Sequence, residues 1–282
     1  MISDALPAET ARPVVIQPSR GLLRINVGEL WAYRELLAIL VWRDIKVRYK
    51  QTAIGVAWAV LQPVTTMIVF TLVFGKFANF PSQGLPYPVF VFSGLLPWLY
   101  FASSLSASSM SVVSNVNLVT KVYFPRVLLP LAAVSVPAVD LLVSSVVLAA
   151  LMLWFGIAIG PLAPLILVFL VLALATAFGT GLFFSALNVR FRDVPYIIPF
   201  LVQIWLYLSP VIYPVSALPE RWQWVLSLNP MTAVIDGFRW ALLERPAPDP
   251  AKVAVSALVA VLMVLAGYAF FRRAERQFAD KI

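Results

Sequence analysis

Six runs of about twenty mostly apolar residues interrupt this chain, and a polypeptide carrying such runs has few places to put them. A hydrocarbon core of about 30 Å is crossed by a helix of about 20 residues. Inside that core every backbone N–H and C=O must be satisfied within the protein, which selects helices. The runs are Val56–Phe74, Val89–Ser109, Leu128–Phe155, Leu162–Leu187, Tyr196–Tyr213 and Val253–Phe271. Composition agrees: of 282 residues 61% are hydrophobic and 12% charged, whereas soluble domains carry about 45–50% and about 25%. Disorder needs the opposite bias. The expected fold is an all-α integral membrane protein with six transmembrane helices, both termini cytoplasmic.

Orientation follows from the basic residues, which are retained on the cytoplasmic side of short loops. Lys and Arg outnumber Asp and Glu by 21 to 13. Arg34, Arg43, Lys46, Arg48 and Lys50 precede the first run; Lys121 and Arg126 occupy the second short loop, Arg190 and Arg192 the fourth, and Arg272, Arg273, Arg276 and Lys281 the tail. The alternate loops hold Lys76, then no charge around Gly156–Pro161. In the last outer loop Arg221, Arg239 and Arg245 are accompanied by Glu220, Asp236, Glu244 and Asp249. Residues 1–28 lack an apolar h-region, so no cleaved signal is expected and the first run doubles as the insertion signal.

Two segments are neither span nor simple loop. Glu29–Lys50 (29–52 with its exit) reads as an amphipathic cytoplasmic interface helix. At about 100° per residue Ala38, Val41, Trp42, Ile45 and Tyr49 share one face, and Arg43, Lys46 and Lys50 another, with Leu36, Leu40 and Val47 beside the basic face. It serves as a headgroup anchor or adds a docked protein partner. Val215–Glu244 is broken at Asn229-Pro230, since proline cannot continue a helix. Two short helices dipping into the outer leaflet are expected, their Trp222, Trp224 and Trp240 serving as interfacial belt or as an exit mouth. The six-span permease domain then covers 53–282, after a tail at 1–28.

The chain lacks the residues of most enzymes. There is no G-x-x-x-x-G-K-[ST] loop, no Cys and no His, which excludes thiolate and imidazole chemistry. No catalytic or metal site is expected. Asp140, near the middle of the third run, is the one clear intramembrane acid. It either bonds Ser144, a backbone carbonyl or another helix, or relays a coupling ion. Gln62 and Gln203 are read as buried polar groups of the same kind. Aromatics make up 13% of the chain: Trp58, Phe70 and Phe74 on the first run, Trp98, Tyr100 and Phe101 on the second, Phe200, Trp205, Tyr207 and Tyr213 on the fifth. Their faces can stack on the C–H faces of sugars or pack against lipid. Pro63, Pro97, Pro199 and Pro210 each free a backbone carbonyl, in a cavity-lining break or a packing kink.

Several runs together resemble one family, the membrane permeases of polysaccharide-exporting ATP-binding-cassette transporters, the O-antigen and teichoic-acid group. They are Trp42-Arg43-Asp44-Ile45-Lys46-Val47-Arg48-Tyr49-Lys50-Gln51-Thr52 with Gly55, Trp58, Gln62 and Pro63; then Asn117-Leu118-Val119, Lys121-Val122-Tyr123-Phe124-Pro125-Arg126 and Leu129-Pro130. Asn188-Val189-Arg190-Phe191-Arg192-Asp193-Val194 leads to Ser209-Pro210-Val211-Ile212-Tyr213-Pro214, and Leu228-Asn229-Pro230-Met231 to Phe238-Arg239. The order is right from about Glu29 onward.

The resemblance implies a homodimer in the bacterial inner membrane, two copies of a separate ATPase subunit that binds ATP and magnesium, and a lipid-linked polysaccharide substrate passing between protomers. This chain itself would bind no cofactor and no nucleic acid. It further implies a coupling helix at about 115–126, with Asn117, Lys121, Tyr123, Phe124, Pro125 and Arg126, bordered by Arg43, Lys46 and Lys50. Arg190, Arg192 and Asp193 form the other cytoplasmic loop. Arg126 and Lys121 either meet acidic groups of the ATPase or serve only positive-inside retention. Trp58, Phe70, Trp98, Tyr100, Phe101, Trp205, Tyr207 and Tyr213 would line the channel, and Trp222, Trp224, Asn229, Pro230 and Arg239 an outer gate at about 215–244. Two other readings stay open: the same architecture carrying a drug or small lipid, and an ion-coupled carrier resting on Asp140.

Overall fold

The computed structural model describes residues 27–50 and 57–278. The tail before them, Gln51, Thr52 and Gly55 of the first motif, the expected start of the first span at Val56, and Lys281 lie outside the described residues. Among the described residues the chain is helical and has no strand. It runs through α1 (Val27–Ala32), α2 (Arg34–Lys50), α3 (Ala57–Phe70, continued by a π-helical stretch Thr71–Phe77) and α4 (Tyr87–Met110). A 3-10 turn Val113–Asn115 precedes α5 (Val116–Lys121), followed by α6 (Leu128–Ser135) and α7 (Pro137–Trp154). Then come α8 (Ile166–Arg190), α9 (Val194–Tyr207), α10 (Glu220–Ser227), α11 (Pro230–Leu243) and α12 (Pro250–Glu275).

Five segments are long and apolar enough to cross a membrane: Ala57–Phe77, Tyr87–Met110, Leu128–Trp154, Ala163–Arg190 and Pro250–Glu275. The sequence predicts six. The fifth expected run forms only the helix Val194–Tyr207, about 21 Å at 1.5 Å per residue. Ser209-Pro210 stops it, because proline has no N–H for another turn. Its remaining residues, 208–213, are turns and bends.

α4 is the hub, touching α3, α6, α7, α8, α9 and α11. Val89, Phe90, Phe92, Leu95, Trp98 and Phe101 are all buried in its core. The α8–α12 crossing is close for a simple reason: a Cβ at Gly267 would overlap the Gly179 carbonyl oxygen, and one at Gly179 would stand 2.6 Å from the Val264 nitrogen. Small residues of this kind let helix backbones approach in lipid.

Two of the proline breaks are satisfied by side chains of neighbouring helices. Pro63 frees the Ala59 carbonyl, which accepts a 2.7 Å hydrogen bond from Ser144 Oγ on α7. At the α6–α7 break the Val134 carbonyl accepts from Tyr100 Oη and Ser104 Oγ of α4, both at 3.2 Å.

α2 packs by a face shifted from the one expected: Val41 is kept, but its leucines join it. Leu36, Leu37, Leu40 and Val41 enter a second core with Val119, Phe124, Leu128 and Leu129, while Ala38 is exposed and Trp42 is 59% exposed. The helix turns its leucines to α6 because a protein wall of aliphatic side chains stands there. That leaves Ile39, Trp42 and Val47 outward.

The segment between α9 and α12 folds as a helical hairpin of α10 and α11. Going down α10, Gln223 Oε1 accepts from Lys252 Nζ at 2.8 Å and the Ser227 carbonyl from Ser256 Oγ at 2.7 Å. Ser256 lies about 9 Å inside α12, counting 1.5 Å per residue from its first turn. Coming back up α11, Arg239 reaches Phe90 near the start of α4, and the Leu242 carbonyl accepts from the Gly160 amide at 3.1 Å.

Candidate functional site

A cavity of about 560 Å³ sits between the end of α2 and helices α3, α4 and α7. Trp58 and Gln62 of α3 and Tyr100 and Ser103 of α4 form its upper wall. Arg48, Tyr49 and Asp140 form its charged end. Arg48 Nη2 stands 2.5 Å from Asp140 Oδ2, and Tyr49 Oη donates to Asp140 Oδ1 at 2.5 Å. Burial and the Asp140 carboxylate hold the Tyr49 phenol above its ordinary range.

This changes the reading of Asp140. Ser144 is engaged with Ala59, so Asp140 does not bond it, and its partners come from α2. It anchors α2 three residues after the Pro137 break. The pair spares the bilayer an isolated charge, and Arg48 is the residue sequence reasoning overlooked. Pairing across a break in the third span, to a residue 92 positions earlier, leaves no local pattern.

At the α5 end the expected coupling residues divide. Asn117, Lys121 and Tyr123 are exposed, as are Lys46 and Lys50. Phe124 is buried against α2 and α6, and Arg126 turns inward. Its Nη1 donates to the Glu275 carbonyl at 2.8 Å, its Nη2 to the Val119 carbonyl at 3.4 Å, and its guanidinium lies 5.9 Å from the Phe278 ring centre. Pro125 is half-buried, and the helix expected at about 115–126 ends at Lys121. Arg43 Nη2 donates to Asn115 Oδ1 at 2.9 Å, and Arg43 also pairs with Asp44 at 2.8 Å. Arg190, Arg192 and Asp193 are exposed between α8 and α9.

The aromatic residues also divide. Trp98, at 2% exposure, and Phe101 are buried inside the protomer, with Phe101 and Trp205 rings 4.9 Å apart. Phe70 is half-buried beside Phe74, and Tyr213 half-buried with its hydroxyl 3.4 Å from the Tyr207 carbonyl. Trp58 and Tyr207 are exposed. Exposed Tyr196, Phe200, Gln203 and Tyr207 share one face of α9 at spacings of four, three and four. That stripe was legible as a helical period, yet only Tyr207 was singled out as channel-lining. Gln62 and Gln203 are both exposed rather than buried, since α3 and α9 lie on the outside of the single protomer.

At the hairpin end Asn229 caps α11. Its Oδ1 accepts from the Met231 amide and from Trp205 Nε1, each at 3.0 Å, while its Nδ2 donates to Ser209 Oγ at 2.9 Å. Pro230 is buried, Trp222 and Trp224 are exposed. Arg239 is 1% exposed: Nη1 donates to the Pro210 carbonyl and Nη2 to Val211, both at 2.7 Å, and Nη2 and Nε also reach Phe90 O at 3.2 and 3.3 Å. Its guanidinium covers the Phe90 ring at 3.7 Å. The buried cation thus satisfies carbonyls released where the Ser209-Pro210 turn ends α9.

Among the described residues no three metal-ligating side chains cluster. Over 263 residues the chain is 33% identical to an O-antigen export system permease protein RfbA of Myxococcus xanthus, covering 91% of this chain and 98% of the relative. A Klebsiella pneumoniae protein of the same name is 26% identical, covering 92% and 98%. The polysialic acid transport protein KpsM of Escherichia coli is 22% identical, covering 84% and 92%. Residues 35–243 match the ABC-2 type transporter family, and the chain, a multi-pass membrane protein, belongs to that family.

Proposed function

We propose that this chain is the membrane permease subunit of an ATP-driven polysaccharide exporter. The energy comes from a separate ATPase, present in two copies with ATP and magnesium, and two permease protomers form the path. The observation that carries the path is the outward stripe Tyr196, Phe200, Gln203 and Tyr207 on α9, together with exposed Trp58 and Gln62 on α3. An amide facing lipid would lose hydrogen bonds to water. Facing a wet channel it keeps them, and the neighbouring rings offer sugar-stacking faces. The exported chain is an O-antigen-like glycan on a lipid, in keeping with the names of the relatives.

In this reading the α2 and α5 end is cytoplasmic, consistent with its basic residues. α9 and the turns after it complete a sixth crossing, and α10 and α11 form the outer gate. Asn117, Lys121 and Tyr123 meet the ATPase directly. Arg43 and Arg126 act behind them, tying α5 to α2 and to the end of α12. The cavity at Trp58, Tyr100 and Arg48 receives the substrate beside the interface helix. Asp140 is held by Arg48 and Tyr49, so no coupling ion is assigned to it.

The test is co-expression with the candidate ATPase subunit of the same organism, followed by pull-down, ATP hydrolysis and export in reconstituted vesicles. A stable complex whose hydrolysis responds to a lipid-linked glycan supports the reading. Absence of a complex, with flux following a proton or sodium gradient, overturns it. Phe200→Ala with Tyr207→Ala is expected to lower export at unchanged complex formation.

A further inference from the structure

A second cavity, about 260 Å³, opens at the hairpin end, between α10, α11, the loop at 246–249 and the first turns of α12. Two polar groups on its wall lack partners among the described residues. Thr232 is 6% exposed, and its buried Oγ1 has no hydrogen bond. Asp236 lies one turn further along the same face of α11 and lines the same cavity. No hydrogen bond or ion pair to its carboxylate is found among the described residues. The Thr232 hydroxyl is an unpaired buried group of a kind that is uncommon and calls for an occupant, while the Asp236 carboxylate is half-buried on the cavity wall.

The opposite wall is already organised. Lys252 Nζ donates to Gln223 Oε1 at 2.8 Å and stands 3.8 Å from Asp249 Oδ2. Gln83 is held by Arg245, whose Nη1 donates to its carbonyl at 2.6 Å, so its loop is fixed over the opening. Pro246 and Val253 add apolar surface. The cavity therefore offers acceptors, donors and an apolar patch, with Asp236 and Asp249 balanced by Lys252 and the nearby Arg239. That balance suits a neutral ligand. A metal ion would want more ligands than the two carboxylates, and no cluster of three metal-ligating side chains exists among the described residues. Drug-sized ligands fill about 300–1,000 Å³, so this volume suits a single sugar ring.

We propose that this cavity is a saccharide subsite at the hairpin end, in which ring hydroxyls donate to the Asp236 carboxylate, accept from Lys252, and pair with the otherwise unpartnered Thr232 hydroxyl. The proposal rests on the polysaccharide-export reading only for the source of its ligand. A sugar of the exported chain and a free saccharide share the chemistry.

The test uses the full chain with its ATPase in lipid nanodiscs, read by saturation-transfer NMR. The probes are the neutral methyl glycosides of glucose, galactose, mannose and rhamnose, and the polysaccharide released from the producing cell. At least one probe is expected to bind saturably. Binding should weaken tenfold or more in Asp236→Asn and in Thr232→Val, both near-isosteric, and stay unchanged in Ser135→Ala on α6, away from both the cavity and the proposed path. Preference for the released polysaccharide over every glycoside assigns the site to the exported chain, and the reverse assigns it to free saccharide. Failure of every probe to saturate, or wild-type binding in both variants, overturns the subsite and leaves a water-filled cavity. Sugar binding that depends on Asp236 in a complex that exports no polysaccharide would instead overturn the export reading and leave the subsite standing.

Discussion

The two ends of this molecule are both held by arginines, but by different physics. At the hairpin end Arg239 is buried and spends its donors on carbonyls of Phe90, Pro210 and Val211. At the α5 end Arg43 and Arg48 carry side chains 39% and 40% exposed, and they pair with Asp44 and Asp140. A buried guanidinium on backbone acceptors has no cheap alternative arrangement, because each released carbonyl would be left dry. Partly exposed ion pairs are screened, and water can replace either partner. The hairpin end is therefore fixed, while the α5 end is stapled by contacts that can be remade, as the proposed coupling to a separate ATPase would require.

The sharpest way to break this contrast is Arg239→Ala. Three carbonyls lose their donor at about 1–3 kcal/mol each, and the vacated volume adds to the cost. The expected result is a fall in thermal midpoint on the order of 10 °C in detergent, with the hairpin freed from α4. Arg239→Lys should recover only part of this, since an ammonium cannot address three carbonyls in one plane as a guanidinium fork does. A midpoint within 2 °C or so of wild type for the alanine variant would show that the hairpin is held by its apolar contacts and Asn229 instead.

The hairpin was legible in outline. Asn229-Pro230 marked its turn, and charges beside tryptophans marked segments that do not cross the bilayer. Arg239 was placed there too, but its burial was not readable, because its acceptors lie on α4 and on the turn after α9, far away in sequence. The spans were legible from length alone. The exception is the fifth run, whose apolar residues continue through Pro210 although its helix cannot. The packing face of α2 was misread for a related reason. A periodicity names stripes, and two stripes compete here; only the wall built by Val119, Phe124 and Leu128 decides for Leu36 and Leu40.

Arg126→Ala comes next in size. Its carbonyl acceptor on Glu275 and its contact with Phe278 tie the end of α5 to the end of α12. Loss of one charged donor to a half-buried acceptor is expected to cost about 1–2 kcal/mol, and ATP hydrolysed per chain exported should rise. Membrane insertion and pull-down of the ATPase should persist; loss of insertion would refute a positioning role.

Asp140→Asn should have a smaller effect on stability, about 1 kcal/mol or less for a pair this exposed. The charge swap Arg48→Asp with Asp140→Arg sharpens the comparison. Recovery of the wild-type midpoint and export by the swap is expected of an α2 anchor. A swap as inactive as Asp140→Asn, with export tracking a proton gradient, would return Asp140 to an ion-coupling role.

The smallest expected change in stability is for Arg43→Ala, a few tenths of a kcal/mol, because Arg43 is partly exposed. Its structural reach is larger than that energy, since the 2.9 Å bond to Asn115 Oδ1 joins α2 to the turn that opens α5. Removing it should leave the thermal midpoint and the amount of complex as in wild type, yet lower the export obtained per ATP. Asn115→Ala should reproduce the effect, and the double variant should add little, as two residues acting through one contact require. If Arg43→Ala instead lowers the midpoint as far as Arg239→Ala does, the α5 end is as rigidly built as the hairpin end, and the physical distinction between a fixed hairpin end and a remouldable α5 end falls.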